Sequence, residues 1–269
     1  MIDTHCHIDD PQYADELDAF LAAQRADGVE AILVPGVEAA TTQDVLDVCA
    51  KYPGYLYPAL GLHPENVKED WREQLAIIKS ALDKHLVSTS ETPKTLSTSN
   101  LRLVAIGEIG LDYHWDTTYK AEQHEALREQ MRWAQQYDLP VMIHSREATE
   151  DTLSILREFP SVKGVMHCFS GSHEVAKQVV AMGYYLGIGG VLTFKNCRLA
   201  EHLVGIPLES LVLETDAPYM APVPYRGKRN ESRWMRYVAE RLAEVYACSV
   251  EHVIEQTSAN ARALFGLNL

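Results

Sequence analysis

Short apolar segments alternate with amphipathic segments along the whole chain. The segment 29–34 is a continuous apolar run, which is typical of a strand that is buried on both faces. The segment that precedes it has Leu17, Phe20 and Leu21 at helical spacing, and Gly28 ends it. The same alternation recurs and predicts eight strands, at residues 2–8, 29–34, 55–60, 103–106, 141–143, 164–166, 184–188 and 211–213.

Each predicted strand is followed by a predicted helix. Alternating strands and helices indicate a parallel sheet, and eight such pairs within about 250 residues fit a closed (β/α)8 barrel, the TIM-barrel class of α/β folds. A doubly wound open sheet is the alternative, but no Gly-x-Gly-x-x-Gly motif follows the first strand, as a dinucleotide fold would need. We therefore expect a single (β/α)8 domain over residues 1–269, with two short helices at its carboxyl end, the last ending at Gly266.

The segment 86–100 interrupts this alternation. It is rich in Ser and Thr and has no hydrophobic period, so we predict an exposed loop between a helix and the next strand. A tolerated insertion is the simpler interpretation of this loop, and a lid over a functional site is the alternative.

The net charge of the chain is strongly negative, at −14, with a sequence pI of about 5.2. Such a surface repels polyanions, which argues against broad wrapping of a nucleic-acid duplex. Any contact with nucleic acid is therefore expected to be local, through metal ions or a basic loop.

The cysteines are scattered and have no paired spacing, which indicates reduced thiols in a cytoplasmic protein. They are Cys6, Cys49, Cys168, Cys197 and Cys248. No apolar run approaches the roughly 20 residues of a membrane span, and no signal-peptide pattern precedes the first predicted strand. We expect no membrane association, and the sequence indicates no obligate protein partner.

Histidines and carboxylates recur where the predicted strands end. In a barrel of this class, the reactive residues gather at the carboxyl ends of the strands. Each residue alone has an ordinary explanation, such as a hydrogen bond to a backbone carbonyl or a helix cap, but their common position favours a metal site. The residues concerned are His5, His7, His63, Glu108, His144, His167 and Asp216.

The pair His5 and His7 indicates how such a site is built. Side chains alternate along a strand, so the two imidazoles are expected to project from one face while Cys6 points away. Cys168 is expected to point away from the site for the same reason. Without His63, four histidines and two carboxylates are too many for one tetrahedral ion, but they suit two ions that share a ligand. The oxygens of one carboxylate can bind different ions, and Glu108 is the expected bridge.

Two metal ions a few ångström apart can activate water and stabilise the attacking and leaving oxygens of an in-line displacement. The reaction indicated is hydrolysis of a phosphoester or of an amide-like bond. In this scheme Glu108 and Asp216 are the catalytic residues, and Asp216 orients and deprotonates the water molecule.

The motifs that contain these residues resemble those of the TatD-type deoxyribonucleases, a branch of the metal-dependent amidohydrolase superfamily. They are Asp3-Thr-His-Cys-His7, Gly61-Leu-His-Pro64, Gly107-Glu-Ile-Gly-Leu-Asp112, His144-Ser-Arg146, His167-Cys-Phe-Ser-Gly171, Glu214-Thr-Asp-Ala-Pro218 and Pro224-Tyr-Arg-Gly-Lys-Arg-Asn-Glu231. The resemblance covers essentially the whole chain, in the order found in the family. It implies two divalent metal ions that share Glu108, one held by His5, His7 and Asp216 and the other by His144 and His167.

The resemblance also implies metal-dependent hydrolysis of DNA, often by an exonuclease that acts from a 3′ end. The expected substrate is therefore DNA, with single-stranded ends as the expected form. Two departures from the family pattern are visible. Ser232 stands where the family usually has Pro, and the segment 86–100 is longer than is typical. Neither departure involves a proposed metal ligand.

A basic loop follows the last predicted strand and contains Arg226, Lys228 and Arg229. Loops after strands seven and eight of such barrels are frequent phosphate sites, and the forked donors of arginine suit phosphate. We expect these three residues, together with His63 and Arg146, to bind the substrate. Nearby aromatic residues stack on bases or pack within loops, and the sequence leaves both interpretations open for Trp115, Tyr219 and Tyr225.

Two rival functions remain open at this point. One is hydrolysis of a small cyclic amide or lactone, although two-metal enzymes of that branch commonly use a carboxylated lysine where this chain has Glu108. The other is a metal-binding scaffold without catalysis. The histidine-rich ligands suit Zn or Mn better than Mg, while the family is often assayed with Mg²⁺, so the sequence leaves the identity of the metal open.

Overall fold

The computed structural model describes residues 1–86 and 101–269. Within these ranges the chain forms eight strands: β1 (Ile2–Asp3), β2 (Ala31–Pro35), β3 (Leu56–Leu60), β4 (Ala105–Asp112), β5 (Val141–Arg146), β6 (Gly164–Met166), β7 (Tyr185–Ile188) and β8 (Leu211–Leu213). The predicted loop at 86–100 lies outside the described residues, apart from its first residue.

The same ranges contain nine α-helices, and the helices alternate with the strands as predicted. They are α1 (Leu17–Ala26), α2 (Thr42–Lys51), α3 (Trp71–His85), α4 (Lys120–Tyr137), α5 (Thr149–Glu158), α6 (His173–Ala181), α7 (Leu199–His202), α8 (Met235–Tyr246) and α9 (Val250–Phe265). None of the helices in the described part of the chain is long and apolar enough to cross a membrane.

Three strands differ from their predicted bounds by three residues or more. β4 continues through Glu108 and β5 continues through His144, so these two residues lie within strands and not after them. β1 is shorter than predicted and ends at Asp3. Hydrophobic pattern alone misplaces these bounds because polar residues extend β4 and β5, and polar side chains can be buried in a strand when they find hydrogen-bonding partners.

The prediction of two short helices at the carboxyl end is wrong. α9 is a single helix of 16 residues. Its start is capped by Ser249, whose hydroxyl accepts a hydrogen bond from the backbone N–H of His252 (3.1 Å). No glycine or proline interrupts the segment, and the helix ends where Gly266 adopts a left-handed φ of 63°.

The helix α4 buries two glutamines on its otherwise apolar inner face. The amide of Gln130 accepts a hydrogen bond from the N–H of Leu62 (2.7 Å) and donates to its carbonyl (3.2 Å). Gln123 makes the same pair of contacts with the N–H and carbonyl of Asp112 (3.0 and 3.1 Å). Each glutamine therefore fixes the backbone beside a candidate site residue, since Leu62 precedes His63.

The chain divides into two compact units, of which the first comprises Met1–Val34 and Val165–Leu269. Its strands pair in parallel, with Val165 opposite Tyr185 and Leu186 opposite Leu211. The first strand of the chain joins the last, because the N–H of Thr4 donates to the carbonyl of Leu213 (3.1 Å). β1 also pairs with β2 in parallel. The start of the chain is thereby held between β8 and β2.

The second unit comprises Pro35–Gly164 and contains three neighbouring parallel strands, β3, β4 and β5. The register of β4 against β5 shifts between Ile106 and Ile109. Gly110 lies opposite His144, and a Cβ atom at this glycine would lie only 1.9 Å from the carbonyl oxygen of His144. A larger residue there would push the two strands apart.

The order of the strands in the eight-stranded sheet follows the sequence, from β1 to β8. Together with the parallel pairings and the alternation with helices, this order is that of a (β/α)8 barrel. The predicted fold class is confirmed. The prediction that residues 1–269 form a single domain stays a prediction.

We expect Asn260→Ala to lower the free energy of unfolding by about 1–3 kcal/mol, because buried carbonyl groups would lose their partner. The amide of Asn260 donates to the carbonyls of Leu208 (2.9 Å) and Leu211 (2.7 Å), which attaches α9 to the start of β8. Urea denaturation measures the change. The matched control is Glu255→Ala, on the exposed face of the same helix; equal stability of the two variants would contradict the assignment.

Candidate metal centre

Backbone hydrogen bonds bring His5 and His7 to the segment that follows β8. The N–H of Asp216 donates to the carbonyl of His5 (2.9 Å), and the N–H of His7 donates to the carbonyl of Ala217 (2.8 Å). Asp216 has a left-handed backbone with a φ of 57°, which Asp tolerates better than most residues but which still carries strain. The first unit therefore holds His5, His7 and Asp216 together although β1 ends before them.

The side chains of this group are spaced as the ligands of one metal ion would be. The Nε2 atoms of His5 and His7 lie 3.3 Å apart, and Asp216 Oδ1 lies 3.5 Å from His7 Nε2 and 4.0 Å from His5 Nε2. Nitrogen and oxygen ligands bind Zn²⁺ at about 2.0–2.2 Å, so two ligands of one tetrahedral ion lie about 3.3–3.6 Å apart. The donor types and two of the three separations fit a divalent ion.

His167 belongs to the same neighbourhood of the first unit. Its ring stacks on the ring of His5 with centroids 3.5 Å apart, and its Nε2 lies 3.6 Å from Asp216 Oδ1. The sequence-based assignment instead pairs His167 with His144 on a second ion. These two residues belong to different units, and their pairing stays a prediction.

A second group of candidate ligands lies in the other unit. Glu108 Oε1 lies 3.1 Å from His144 Nδ1 and 3.5 Å from His63 Nε2. The carboxylate is buried, with only 3% of Glu108 exposed. The sequence predicted a substrate-binding role for His63, whereas this geometry makes it a third candidate ligand beside Glu108. Two imidazoles and a carboxylate again form a donor set that suits Zn or Mn.

Asp216 is ionised over a wider pH range than an ordinary aspartate. Its burial alone would raise the pKa of the carboxyl group. The hydrogen bond with His7 and the positive charges of His167, His5 and His7 outweigh burial and lower the pKa below its usual value. Asp216 is therefore an anionic ligand at neutral pH.

Two buried carboxylates each lie beside one ring nitrogen of a candidate histidine ligand, and sequence reasoning missed both. Asp112 Oδ2 lies 2.7 Å from His144 Nε2, and Glu214 Oε2 lies 3.2 Å from His167 Nδ1. Metal-binding histidines usually donate their second N–H to such a carboxylate, which fixes the tautomer and the orientation of the ring. The geometry therefore assigns Nδ1 of His144 and Nε2 of His167 as the atoms that face the ligand groups.

A sequence signal for these two residues was available. Asp112 lies in the same motif as Glu108, and Glu214 lies in the same motif as Asp216. Burial would raise the pKa of Asp112, but the hydrogen bonds from His144 and from the N–H of His114 lower it overall. Asp112 is therefore ionised at neutral pH and can accept a hydrogen bond from the imidazole of His144.

A further buried carboxylate, Asp3, anchors the backbone of the first group. It accepts hydrogen bonds from the N–H and hydroxyl of Thr215 (3.0 and 2.6 Å) and from the N–H of His5 (3.2 Å). Asn230 donates to the carbonyl of Thr215 (2.9 Å). Burial raises the pKa of Asp3 to about 7, although the hydrogen bonds to its side chain act in the opposite direction. These contacts fix the residue that precedes Asp216.

The prediction that Cys168 points away from the site is wrong. Its sulfur lies within 4.8 Å of ligand atoms of His167 and Glu214. β6 ends at Met166 and Cys168 has a left-handed φ of 47°, so strand alternation does not apply to it. The N–H of Cys168 donates to Glu214 Oε1 (2.6 Å) and holds this carboxylate beside His167. Cys6, in contrast, is fully buried.

The cations of the predicted basic loop have different surroundings. The guanidinium of Arg229 is bound by Glu16 (2.5 Å) and by the carbonyl of Gln12 (2.6 Å). The guanidinium of Arg226 lies over the ring of Phe194, with its central carbon 3.6 Å from the centroid. Arg229 is therefore held by protein contacts, whereas no described residue forms a hydrogen bond with the guanidinium of Arg226.

Arg146 and Lys228 also lie over aromatic rings. The central carbon of the Arg146 guanidinium is 5.3 Å from the ring centroid of Trp115, and the Nζ atom of Lys228 is 5.5 Å from that of Tyr225. The substrate-binding roles of the five predicted residues stay predictions: His63, Arg146, Arg226, Lys228 and Arg229.

We expect Asp112→Ala to weaken metal affinity about 10- to 100-fold, because His144 would lose the carboxylate that orients its ring. Asp112→Asn keeps an acceptor oxygen and should lose less. Competition with a chromophoric zinc chelator measures the affinity. The matched control is Asp116→Ala, which removes a partly exposed carboxylate of the following loop; an affinity in Asp112→Ala as high as in this control would contradict the supporting role.

Comparison with known sequences places these residues in a family. The profile of the family described as TatD related DNase matches residues 2–266. The chain is 39% identical over 271 residues to the uncharacterized metal-dependent hydrolase YabD of Bacillus subtilis, covering 100% of both proteins. It is 31% identical over 275 residues to the 3′-5′ ssDNA/RNA exonuclease TatD of Erwinia amylovora, covering 99% of this chain and 100% of that protein.

Solved structures agree with this assignment. The TatD homologue YjjV of Escherichia coli superimposes with a TM-score of 0.89 at 32% identity, over 100% of this chain and 98% of that one. A TatD-family hydrolase of Entamoeba histolytica has the same fold, with a TM-score of 0.82 at 22% identity over 100% of this chain and 98% of that one. The chain therefore belongs to the TatD family of metal-dependent hydrolases.

Proposed function

We propose that this hydrolase cleaves phosphodiester bonds of DNA and removes nucleotides from a 3′ end. The observation that carries the proposal is the spacing of imidazole and carboxylate ligands in two separate groups, each suited to a divalent ion. The relative from Erwinia amylovora is named as a 3′-5′ exonuclease on single-stranded DNA and RNA, which supports the choice of substrate.

Two divalent ions, Mg, Mn or Zn, complete the site in this proposal. His5, His7 and Asp216 would hold one ion, and His144 and His167 would hold the other. Glu108 would be shared by both, as the family resemblance implies. When bound, such ions lower the pKa of water and stabilise the charge that develops on the phosphate.

The side chains of the chain itself orient the reacting groups. Asp216 is the candidate to accept a hydrogen bond from the attacking water and to receive its proton. Its histidine neighbours lower its pKa, so the carboxylate is ionised at neutral pH. Asp112 holds the imidazole of His144 in a single tautomer, and the carboxylate of Glu214 lies 3.2 Å from Nδ1 of His167.

The phosphate of the substrate needs local positive charge, because the net charge of the chain is −14. Arg226 and Lys228, on the loop after β8, are the stronger candidates to bind it. Arg229 is the weaker one, since its guanidinium is already bound by Glu16 and by the carbonyl of Gln12. Substrate binding through Arg229 would require these contacts to break.

End-labelled single-stranded DNA tests the activity. With Mg²⁺ or Mn²⁺ we expect a ladder of products shortened one nucleotide at a time from the 3′ end, and a chelator should abolish it. Glu108→Ala should abolish turnover and reduce the metal content, because a buried ligand is lost. The matched control, Glu73→Ala, removes an exposed carboxylate of α3 and should leave both unchanged.

Two results would contradict the proposal. Wild-type turnover and full metal content in Glu108→Ala would exclude Glu108 as a ligand. Absence of cleavage with every metal, in protein that contains bound metal, would exclude DNA as the substrate and favour small cyclic amides or lactones.

A further inference from the structure

Trp115 is the one tryptophan of the chain that lies open to solvent. Its exposed fraction is 69%, whereas Trp71, Trp133 and Trp234 are 5%, 3% and 9% exposed. A large aromatic ring loses favourable burial free energy when it stays in water. Trp115 lies three residues beyond the end of β4, on the loop that follows Asp112. Trp115 therefore presents an exposed, flat apolar surface three residues from Asp112.

Arg146 reaches this ring from the neighbouring strand. It is paired with Asp112 in the register of β4 and β5, and its carbonyl accepts a hydrogen bond from the N–H of Tyr113 (3.0 Å). Side chains two residues apart on a strand project from the same face, so Arg146 points to the side on which His144 presents its imidazole. Its guanidinium lies over the indole of Trp115 at 5.3 Å.

The hydrogen-bond donors of Arg146 are not used by an ion pair. In the described part of the chain no carboxylate pairs with its guanidinium, whereas Arg128 forms two hydrogen bonds with Glu158 (2.8 and 2.6 Å). The nearest acidic side chain of the following loop, Glu147, is engaged by His114 (2.6 Å). The cation is thus stacked and exposed, and its charge also helps to lower the pKa of Asp112.

We propose that Trp115 and Arg146 form a clamp for one nucleotide of a single strand. The indole stacks on the base, and the guanidinium binds the adjacent phosphate. Both contacts are independent of base identity, since every base has a π-face and every nucleotide a phosphate. A base within a duplex is covered on both faces by its neighbours, so the clamp selects single-stranded ends. This inference rests on the proposed function and names the residues that recognise the single strand.

Intrinsic fluorescence tests the stacking directly, because the other three tryptophans are buried. The probe is a short single-stranded oligonucleotide with phosphorothioate linkages, which binds to metal-replete protein and resists cleavage. We expect saturable quenching of the wild-type emission. Both variants lack the reporting indole, so their affinity is measured by the anisotropy of a fluorescently labelled oligonucleotide. Trp115→Phe should keep the affinity, and Trp115→Ala should raise Kd about 5-fold or more. The matched control is Ile77→Ala, which truncates an exposed apolar side chain of α3 and should change nothing.

The salt dependence of binding tests the phosphate contact separately. We expect Arg146→Ala to reduce the slope of log K against log salt by about 0.7, the value for one phosphate contact on a single strand. Trp115→Ala should weaken binding without changing this slope. Arg146→Lys should keep the slope, because it keeps the charge, but lose part of the affinity, because it loses the stacked plane.

The outcomes separate this inference from the proposed function. Quenching with the expected loss in Trp115→Ala, but no cleavage of unmodified DNA with any metal, would support the clamp and overturn the nuclease. Cleavage by the wild type with unchanged Kd and KM in Trp115→Ala would overturn the clamp alone. If the oligonucleotide neither binds nor is cleaved, both are overturned.

Discussion

Burial of imidazoles and carboxylates is the constraint on which this structure depends. Asp3, His5, Glu108, Asp112 and Glu214 are each at most 3% exposed, and a buried charge without compensation costs several kcal/mol. Hydrogen bonds from backbone N–H groups and histidines supply part of the compensation. Divalent cations would supply the rest, because the ligand groups bring together more negative charge than neutral histidines can balance.

This constraint explains why so much of the fold serves to hold a few side chains. The buried side-chain amides of Gln123 and Gln130 form hydrogen bonds with the backbone at Asp112 and Leu62. Asp3 fixes the backbone of both strand ends that carry the first ligand group. A site built in this way is rigid before any ion binds, and such preorganisation sets the geometry of the ligands that metal-assisted hydrolysis requires.

Sequence reasoning could predict the fold class, because the pattern of apolar runs marks each strand. It also named the candidate ligands, because polar residues recur where the predicted strands end. It could mark the outer carboxylates as motif residues, but not the imidazole that each one faces. Asp112 and Glu214 were read as parts of motifs, and only the structure places them against His144 and His167. Cys168 was misplaced for a local reason, since a left-handed backbone cancels strand alternation. The role of Trp115 was open because exposure depends on tertiary packing.

Anomalous diffraction from crystals grown with Zn²⁺ or Mn²⁺ tests the central claim most directly, namely that both ligand groups hold a divalent ion. We expect one peak about 2.0–2.2 Å from the Nε2 atoms of His5 and His7, and another at the same distance from Nδ1 of His144. Both peaks should lie beside a carboxylate oxygen, from Asp216 or Glu108. Absence of peaks at these nitrogens, or a metal on Nε2 of His144, would contradict the account.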